Sequence, residues 1–135
     1  MSTKEYLRQI YEIQHHIKRI EQRKAAIEAD LYSVKAITIA PDRVMSSVNN
    51  DRLVNLIAKH DRVVKRLEKE KLRLLSKRQK IMWEIEKVPE PYKTLLCERY
   101  ELCLTWEQIA VDMNVSVRHV YNLHGRALLE FEKLR

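Results

Sequence analysis

The stretch that decides the fold covers residues 106–125 and reads WEQIAVDMNVSVRHVYNLHG. Apolar and small residues occur there at the offsets at which two short helices pack across a tight turn: Ile109, Ala110, Met113, Val115, Val120 and Leu123. Asn114 stands at the turn itself, and after glycine asparagine is the residue that best tolerates a left-handed backbone. Because helix packing or turn geometry explains the residue at each of these positions, the stretch predicts a helix-turn-helix.

Capping signals mark the ends of these helices. Thr105 and Gln108 have the spacing of a capping box, and Ser116 is a favourable N-cap for the last helix. Pro89 and Pro91 end the pattern that precedes them. Together these signals predict three short helices, over about 91–102, 105–113 and 116–134.

The last of these helices begins with side chains suited to reading DNA. Those expected to point outward near its start are Val117, Arg118, His119, Tyr121 and Asn122. Arginine pairs with guanine O6 and N7, asparagine with adenine N6 and N7, and valine contacts the thymine methyl group. Phosphate contacts are expected from Thr105, Trp106, Ser116 and Arg126. These residues predict a helix that enters the major groove, and the alternative is a three-helix packing module that binds no DNA.

Gly125 is the single glycine of the chain and falls within this helix. A glycine inside a helix costs about 1 kcal/mol relative to alanine. Close approach of another helix or of DNA would explain it, and so would chance drift.

The first 88 residues carry two hydrophobic seams with a regular 4-3 spacing. The first seam comprises Tyr6, Ile10, Ile13, Ile17, Ile20, Lys24, Ile27, Leu31 and Val34, and the second Leu53, Ile57, His60, Val64, Leu67, Lys71, Leu74, Arg78, Ile81, Ile85 and Val88. This spacing is typical of coiled-coil helices. It predicts helices over about 3–34 and 51–88, with a capping box at Ser2 and Glu5. The intervening residues 35–50, which include a proline, are predicted to form a loop.

Two long helices joined by such a loop can fold back on each other as an antiparallel pair. Further apolar side chains widen the second seam: Leu56, Val63, Leu72, Leu75 and Trp83. A two-helix pair would leave part of this surface in water, so a homodimer is expected. The predicted fold class is all-α, with a long antiparallel helical hairpin over 1–88 and a helix-turn-helix module over 89–135. That module is too small to bury a core of its own, so it is expected to lean on the hairpin or on a dimer mate.

Four polar side chains interrupt the seams: Lys24, His60, Lys71 and Arg78. They either extend to solvent at open layers of the pair or fix its register and oligomeric state. Both interpretations stay open at this point.

The composition is basic and poor in turn-forming residues. The chain of 135 residues has 26 Lys and Arg against 19 Asp and Glu, a net charge of +7, and only one glycine and three prolines. So few glycines exclude a glycine-rich phosphate loop and the many turns of a β-sandwich. The basic balance favours nucleic acid, an anionic membrane or an acidic protein as partner.

The positive charge does not lie on the predicted DNA-reading module. Residues 1–88 carry 20 basic and 12 acidic side chains, whereas residues 89–135 carry 6 and 7. A basic stripe faces away from the second seam and comprises Arg62, Arg66, Lys69, Arg73 and Lys80. The stripe is either a solvated coiled-coil face or a positively charged surface that binds phosphates beside the DNA site.

Several other classes of function find no support in the sequence. No apolar run is long enough for a transmembrane helix or a signal peptide, so no membrane partner is expected. Cys97 and Cys103 are too far apart for a disulfide if they share a helix, which indicates a reduced, cytoplasmic protein. The histidine pairs lack the i, i+4 spacing of a helical zinc site. No metal, cofactor, small-molecule substrate or enzymatic activity is therefore expected.

Four stretches of the C-terminal third form a longer pattern. They are Pro91-Tyr92-x-x-Leu95-Leu96-x-x-Arg99-Tyr100, Thr105-Trp106-Glu107-Gln108-Ile109-Ala110, Val115-Ser116-x-x-x-Val120 and Arg126-Ala127-Leu128. This pattern resembles region 4 of bacterial sigma factors, which reads the −35 promoter element. The whole chain, including Asp42-Arg43-Val44-x-Ser46-Ser47, is similar to the phage-encoded ArpU-type late-operon transcriptional regulators. The resemblance implies binding of double-stranded DNA and control of transcription by host RNA polymerase in the bacterial cytoplasm.

Motif and resemblance together predict a sequence-specific DNA-binding regulator of phage or prophage genes. The N-terminal part has nothing like the sigma region that melts the −10 element, so independent sigma activity is not implied. The alternative function is a coiled-coil adaptor that binds RNA polymerase or a sigma factor without reading DNA. The slightly acidic C-terminal third favours this alternative, since isolated DNA-reading domains are usually basic.

Overall fold

Five α-helices and one π-helical turn make up the part of the chain that the structure, a computed structural model, describes: residues 1–38 and 47–135. In chain order they are α1 (Thr3–Thr38), α2 (Ser47–Glu86), α3 (Tyr92–Leu96), the π-helical turn (Cys97–Glu101), α4 (Trp106–Met113) and α5 (Val117–Leu134). Over these two ranges there is no β-strand, and the predicted all-α class is confirmed. None of these helices has an apolar stretch long enough to cross a membrane.

The predicted loop over residues 35–50 is wrong at both ends. α1 continues to Thr38, and α2 already begins at Ser47 rather than after Asp51. The β-branched residues near the end of α1 do not stop it, because intrinsic propensities are weak and are easily overridden. Serine and asparagine are common in loops and at helix starts alike, so they could not mark the end of the loop. Residues 39–46, which make up half of the predicted loop and most of its family motif, lie outside the described residues.

The helix predicted over 91–102 is not a single α-helix. It begins as α3 and changes at Cys97 into the π-helical turn, where the N–H of Leu102 donates to the carbonyl oxygen of Cys97 over 3.1 Å. A π turn holds about one residue more than an α turn, so it changes which side chains face inward. Here both Glu98 and Tyr100 are buried.

The chain divides into two compact units. We call residues 1–15 and 75–135 the terminal unit and residues 16–74 the hairpin unit. α1 and α2 each contribute to both units. This division differs from the predicted one after residue 88, because the ends of both long helices supply core side chains to the C-terminal helices.

The core of the terminal unit draws on all its helices. Its buried side chains are Leu7, Ile10, Ile81, Ile85, Val88, Leu95, Leu96, Tyr100, Ile109, Ala110, Val120, Leu123, Ala127 and Phe131. The ring of Tyr6 packs against that of Phe131 with centroids 6.0 Å apart, and the Tyr6 hydroxyl donates to Glu84 over 2.9 Å. The C-terminal helices therefore rest on the ends of the long helices, as their small size predicts.

In the hairpin unit, ion pairs show that α1 and α2 run antiparallel. Lys24 pairs with Glu68. Glu21, which precedes Lys24 in α1, pairs with Lys71, which follows Glu68 in α2, over 2.8 Å. The side chain of Lys24 is only 14% exposed, so it does not extend freely into solvent. These cross-helix pairs favour the interpretation that polar residues in the seams fix the register of the hairpin.

Candidate nucleic-acid interface

The turn between α4 and α5 adopts the conformation that its sequence predicts. Asn114 has φ 56° and ψ 46°, which is the left-handed region. Its N–H donates to the carbonyl oxygen of Val111 over 3.2 Å, and the N–H of Val115 donates to that of Ala110 over 3.0 Å. These bonds close the C-terminus of α4. The chain therefore reverses tightly, and α5 begins at Val117.

Side-chain caps hold the first turns of both helices. Thr105 Oγ1 accepts from the N–H of Gln108 over 3.2 Å, and Gln108 Oε1 accepts from the N–H of Thr105 over 2.9 Å. Ser116 Oγ accepts from the N–H of His119 over 3.1 Å. Because an accepting hydroxyl keeps its own hydrogen, the exposed Thr105 and Ser116 remain able to donate to a phosphate oxygen.

The inner faces of the two helices pack as predicted. Four of the expected side chains are buried, namely Ile109, Ala110, Val120 and Leu123. Met113 and Val115 are half-buried and pack against the same core. This packing fixes the rotation of α5 about its axis and so decides which of its side chains reach solvent.

The outer face of α5 exposes four of the five predicted base-reading side chains: Arg118, His119, Tyr121 and Asn122. The expectation that Val117 points outward is wrong, because Val117 is half-buried and packs against the core. Val117, Val120 and His124 follow one another at helical spacing and so share the inner face. Arg126, a predicted phosphate contact, is exposed farther along α5.

Trp106, also predicted to contact phosphate, lies half-buried among neighbouring side chains. The guanidinium carbon of Arg99 is 4.1 Å from the centre of its ring, and the ring of Tyr121 is 5.2 Å away between centroids. His124 meets the indole edge-on at 4.7 Å. Arg99 Nη1 also donates to the carbonyl oxygen of Leu104 over 2.9 Å. Trp106 thus supports the exposed Tyr121 and holds Arg99 in place.

Behind the exposed face lies a buried hydrogen bond that the sequence analysis missed. The Tyr100 hydroxyl is 2.8 Å from His124 Nε2. Burial, together with the positive charges of Lys4 and Arg99, lowers the pKa of His124 to about 4, so its ring is neutral at pH 7. Burial likewise raises the pKa of Tyr100. The sequence did contain one indication that His124 is buried: it follows the apolar Val120 by four residues, which places both on the same face of the helix.

A second buried polar group belongs to the π-helical turn. Burial and the neighbouring carboxyl group of Asp112 together raise the pKa of Glu98 to about 7. Within the described ranges, one oxygen of the Glu98 carboxyl has no hydrogen-bond partner. The periodicity of a regular helix over 91–102 does not predict that this carboxyl is buried, because the π-helical turn changes which residues face inward.

The predicted basic stripe is exposed along α2. Four members, Arg62, Arg66, Lys69 and Arg73, belong to the hairpin unit, and Lys80 belongs to the terminal unit. Arg73 Nη2 lies 2.6 Å from a carboxylate oxygen of Glu70, so much of its charge is balanced. The stripe still offers the exposed positive charge that either interpretation of it requires.

Metal-ligating side chains do not cluster in the described part of the chain. Within residues 1–38 and 47–135, no three His, Cys, Asp or Glu side chains converge in a way that could hold a metal ion. Cys97 and Cys103 are free thiols, and burial raises the pKa of Cys97. Cys103 has φ 56° and follows the end of the π-helical turn, so the two cysteines do not share a helix.

Gly125 lies on the exposed surface of α5. A Cβ atom placed on it would meet no heavy atom of the described residues within 4 Å. One expected explanation of this glycine, close packing against another described helix of the same chain, is therefore wrong. Close approach of DNA stays a prediction.

The site is assembled from a tight turn, two capped helices and the exposed polar face of α5. The chain matches no family model, no curated protein and no solved structure.

Proposed function

We propose that this protein is a sequence-specific DNA-binding transcriptional regulator in which α5 enters the major groove of double-stranded DNA. One observation carries the proposal. The first turns of α5 expose Arg118, His119, Tyr121 and Asn122, while its buried inner face holds the helix in one rotation. Helix-turn-helix proteins present their base-reading side chains from this part of the second helix.

Arg118 and Asn122 have the most specific hydrogen-bonding chemistry on this face. A guanidinium donates two hydrogen bonds to guanine O6 and N7, and a carboxamide both accepts from and donates to adenine. The two residues lie four apart, so successive turns of α5 direct them to neighbouring base pairs. Tyr121, supported by Trp106, adds a ring edge and a hydroxyl beside them.

Thr105, Ser116 and Arg126 are proposed to contact the phosphates that flank these bases. The two hydroxyls stand at the N-termini of α4 and α5, where free N–H groups and the helix dipole favour an anion. Arg126 supplies a full positive charge on the same helix. Such contacts position the reading helix and carry no sequence information of their own.

The wider proposal is control of phage or prophage genes together with host RNA polymerase, in the cytoplasm of a bacterial cell. It is supported by the resemblance to region 4 of sigma factors and to ArpU-type regulators. A homodimer belongs to the same proposal, because Trp83 on α2 is 64% exposed and a second copy would cover it. A dimer would read two half-sites spaced by whole turns of the duplex.

A salt-titrated selection from random duplex DNA tests the proposal. The expected result is an enriched motif, and light scattering should give the mass of a dimer. Replacing both Arg118 and Asn122 by alanine is the control, since it should abolish the enrichment while helix content stays the same. Failure of the wild-type chain to enrich any motif would contradict the proposal.

A second candidate function is an adaptor that binds RNA polymerase or a sigma factor and does not read DNA, with its binding surface on α4 and not, as the sequence predicts, on the coiled coil. The outer face of α4 favours it, because Val111 is 82% exposed and its neighbours Glu107 and Asp112 are acidic. Such a surface suits a basic protein partner. Co-purification of RNA polymerase without an enriched DNA motif would support the adaptor. In that case Val111→Asp should abolish co-purification, whereas Arg118→Ala should not.

A further inference from the structure

The terminal unit contains a cleft of about 440 Å³ whose lining comes from two distant parts of the chain. Lys4, Arg8 and Glu12 line it from successive turns of α1. Arg99 lines it from the π-helical turn, and Cys103 lines it from the residues just after that turn. Because these parts are far apart in sequence, counting the charges of each segment does not show which charged side chains lie together in the cleft.

The cleft is positively charged. Lys4 and Arg8 are exposed and Arg99 is half-buried. Among the described residues, none of these three forms an ion pair. Glu12 is the one acidic residue of this lining, so the three cations outnumber it. The unpaired cations favour an anionic ligand.

Arg99 connects this cleft to the exposed face of α5. Arg99 lines the cleft, and its guanidinium stacks on the ring of Trp106. Trp106 in turn contacts Tyr121, which is 52% exposed. The hydrogen bond from Arg99 to the carbonyl oxygen of Leu104 fixes the guanidinium in this position. A continuous chain of side-chain contacts therefore leads from the cleft to the proposed base-reading face.

We propose that this cleft binds backbone phosphates of the duplex beside the bases that α5 reads, with Lys4 and Arg8 as the contacting cations. The inference rests on the proposed function and adds a second binding surface to it. It also accounts for the charge balance, because residues 89–135 are slightly acidic but α1 brings two cations to their side. Phosphate contacts dominate the affinity of proteins for DNA and make it depend on salt.

The test is fluorescence anisotropy of labelled duplex over a range of salt concentrations. The variant combines Lys4→Gln and Arg8→Gln, which removes two exposed charges from the cleft and keeps good helix formers in α1. The matched control combines Arg19→Gln and Arg23→Gln, an exposed pair with the same spacing on α1 that lies outside both the cleft and the basic stripe. Both variants change the net charge equally, and circular dichroism should show wild-type helix content for each.

The cleft variant should lower the slope of log affinity against log salt by about 2, because each phosphate contact contributes about 0.9. Its relative preference among duplex sequences should stay the same, and the control should change the slope less. If the wild type binds duplex and the cleft variant keeps the wild-type slope, the cleft proposal fails alone. An equal loss in both variants would also overturn it. If the wild type binds no duplex at any salt, both proposals fail.

Cys103 gives a second measurement on the unaltered protein. Its thiol is exposed and lies in the lining of the cleft. Bound duplex should slow its alkylation by iodoacetamide several-fold, as measured by mass spectrometry. Undiminished alkylation of Cys103 in a chain saturated with duplex would overturn the proposal.

Discussion

Two exposed arginines of α5 are expected to make different kinds of contact with a duplex. Arg118→Ala should cost about 1–3 kcal/mol at the selected site and relax the preference at one base pair, because a bidentate contact is lost. Arg126→Ala should weaken binding to all duplexes alike and reduce the salt slope by about 1. Anisotropy titrations with selected and scrambled duplexes measure both effects. Identical behaviour of the two variants would contradict the assignment of Arg118 to a base.

Glu98 and His124 give the free energy of unfolding opposite pH dependences. His124 has a pKa of about 4 in the folded chain against 6.5 when unfolded, so the unfolded chain binds the proton first and stability falls as the pH drops from 6.5 to 4. Glu98 has a pKa of about 7 when folded against 4.5 when unfolded. The folded chain therefore binds this proton first, and stability rises as the pH drops from 7 to 4.5. Over the shared part of these ranges the two contributions oppose each other.

Glu98→Gln should therefore uncover the contribution of His124. Glutamine has nearly the shape of the protonated carboxyl and does not titrate. The free energy of unfolding of this variant should fall more steeply than that of the wild type as the pH drops from 6.5 to 4.5. Urea unfolding followed by circular dichroism at several pH values measures the difference. His124→Gln is the control and should change the slope in the opposite direction, whereas parallel curves for all three proteins would contradict the prediction.

At the scale of elements, α4 and α5 could be predicted because their determinants are local. The capping hydroxyls of Thr105 and Ser116 act within one helical turn, and the left-handed Asn114 acts on its immediate neighbours. The periodicity of α5 also predicted most of its exposed face. It failed at Val117, whose contact with the core depends on how α5 packs against other elements.

The π-helical turn and the cleft could not be predicted, since both depend on contacts between distant parts of the chain. A π turn and an α turn are compatible with the same local sequence, and the inward side chains of Glu98 and Tyr100 distinguish them here. The cleft combines Arg8 with Arg99, which no spacing rule relates. Hydrophobic periodicity describes one helix at a time, so it does not reveal which surface of another element lies beside it.

The turn that joins α4 to α5 provides a prediction at this scale. Asn114→Ala should destabilise the terminal unit by about 1–2 kcal/mol, because alanine is strained at φ 56°. Asn114→Gly is the matched control and should be nearly neutral, since glycine adopts this conformation without strain. Thermal unfolding measures both. An equal loss in the two variants would show that the asparagine side chain matters, and not the left-handed backbone.

At the scale of the whole molecule, the C-terminal helices depend on the start of α1 and the end of α2. The isolated segment 89–135 lacks the core side chains of Leu7, Ile10, Ile81 and Ile85. It should therefore show little helix by circular dichroism and no cooperative unfolding. A chain in which a short flexible linker joins residues 1–15 to residues 75–135 should keep its helix content and unfold cooperatively. Cooperative unfolding of segment 89–135 alone would contradict this dependence.

The packing of Tyr6 against Phe131 has a consequence for the order of events during synthesis. The ribosome makes Leu7 and Ile10 early, but the last turns of α5, which share their core, emerge much later. Until then the apolar face at the start of α1 has no final partner, and chaperones are free to bind it. The core that holds α5 in its rotation is therefore completed in one late step, and a nascent chain without Phe131 lacks part of that core.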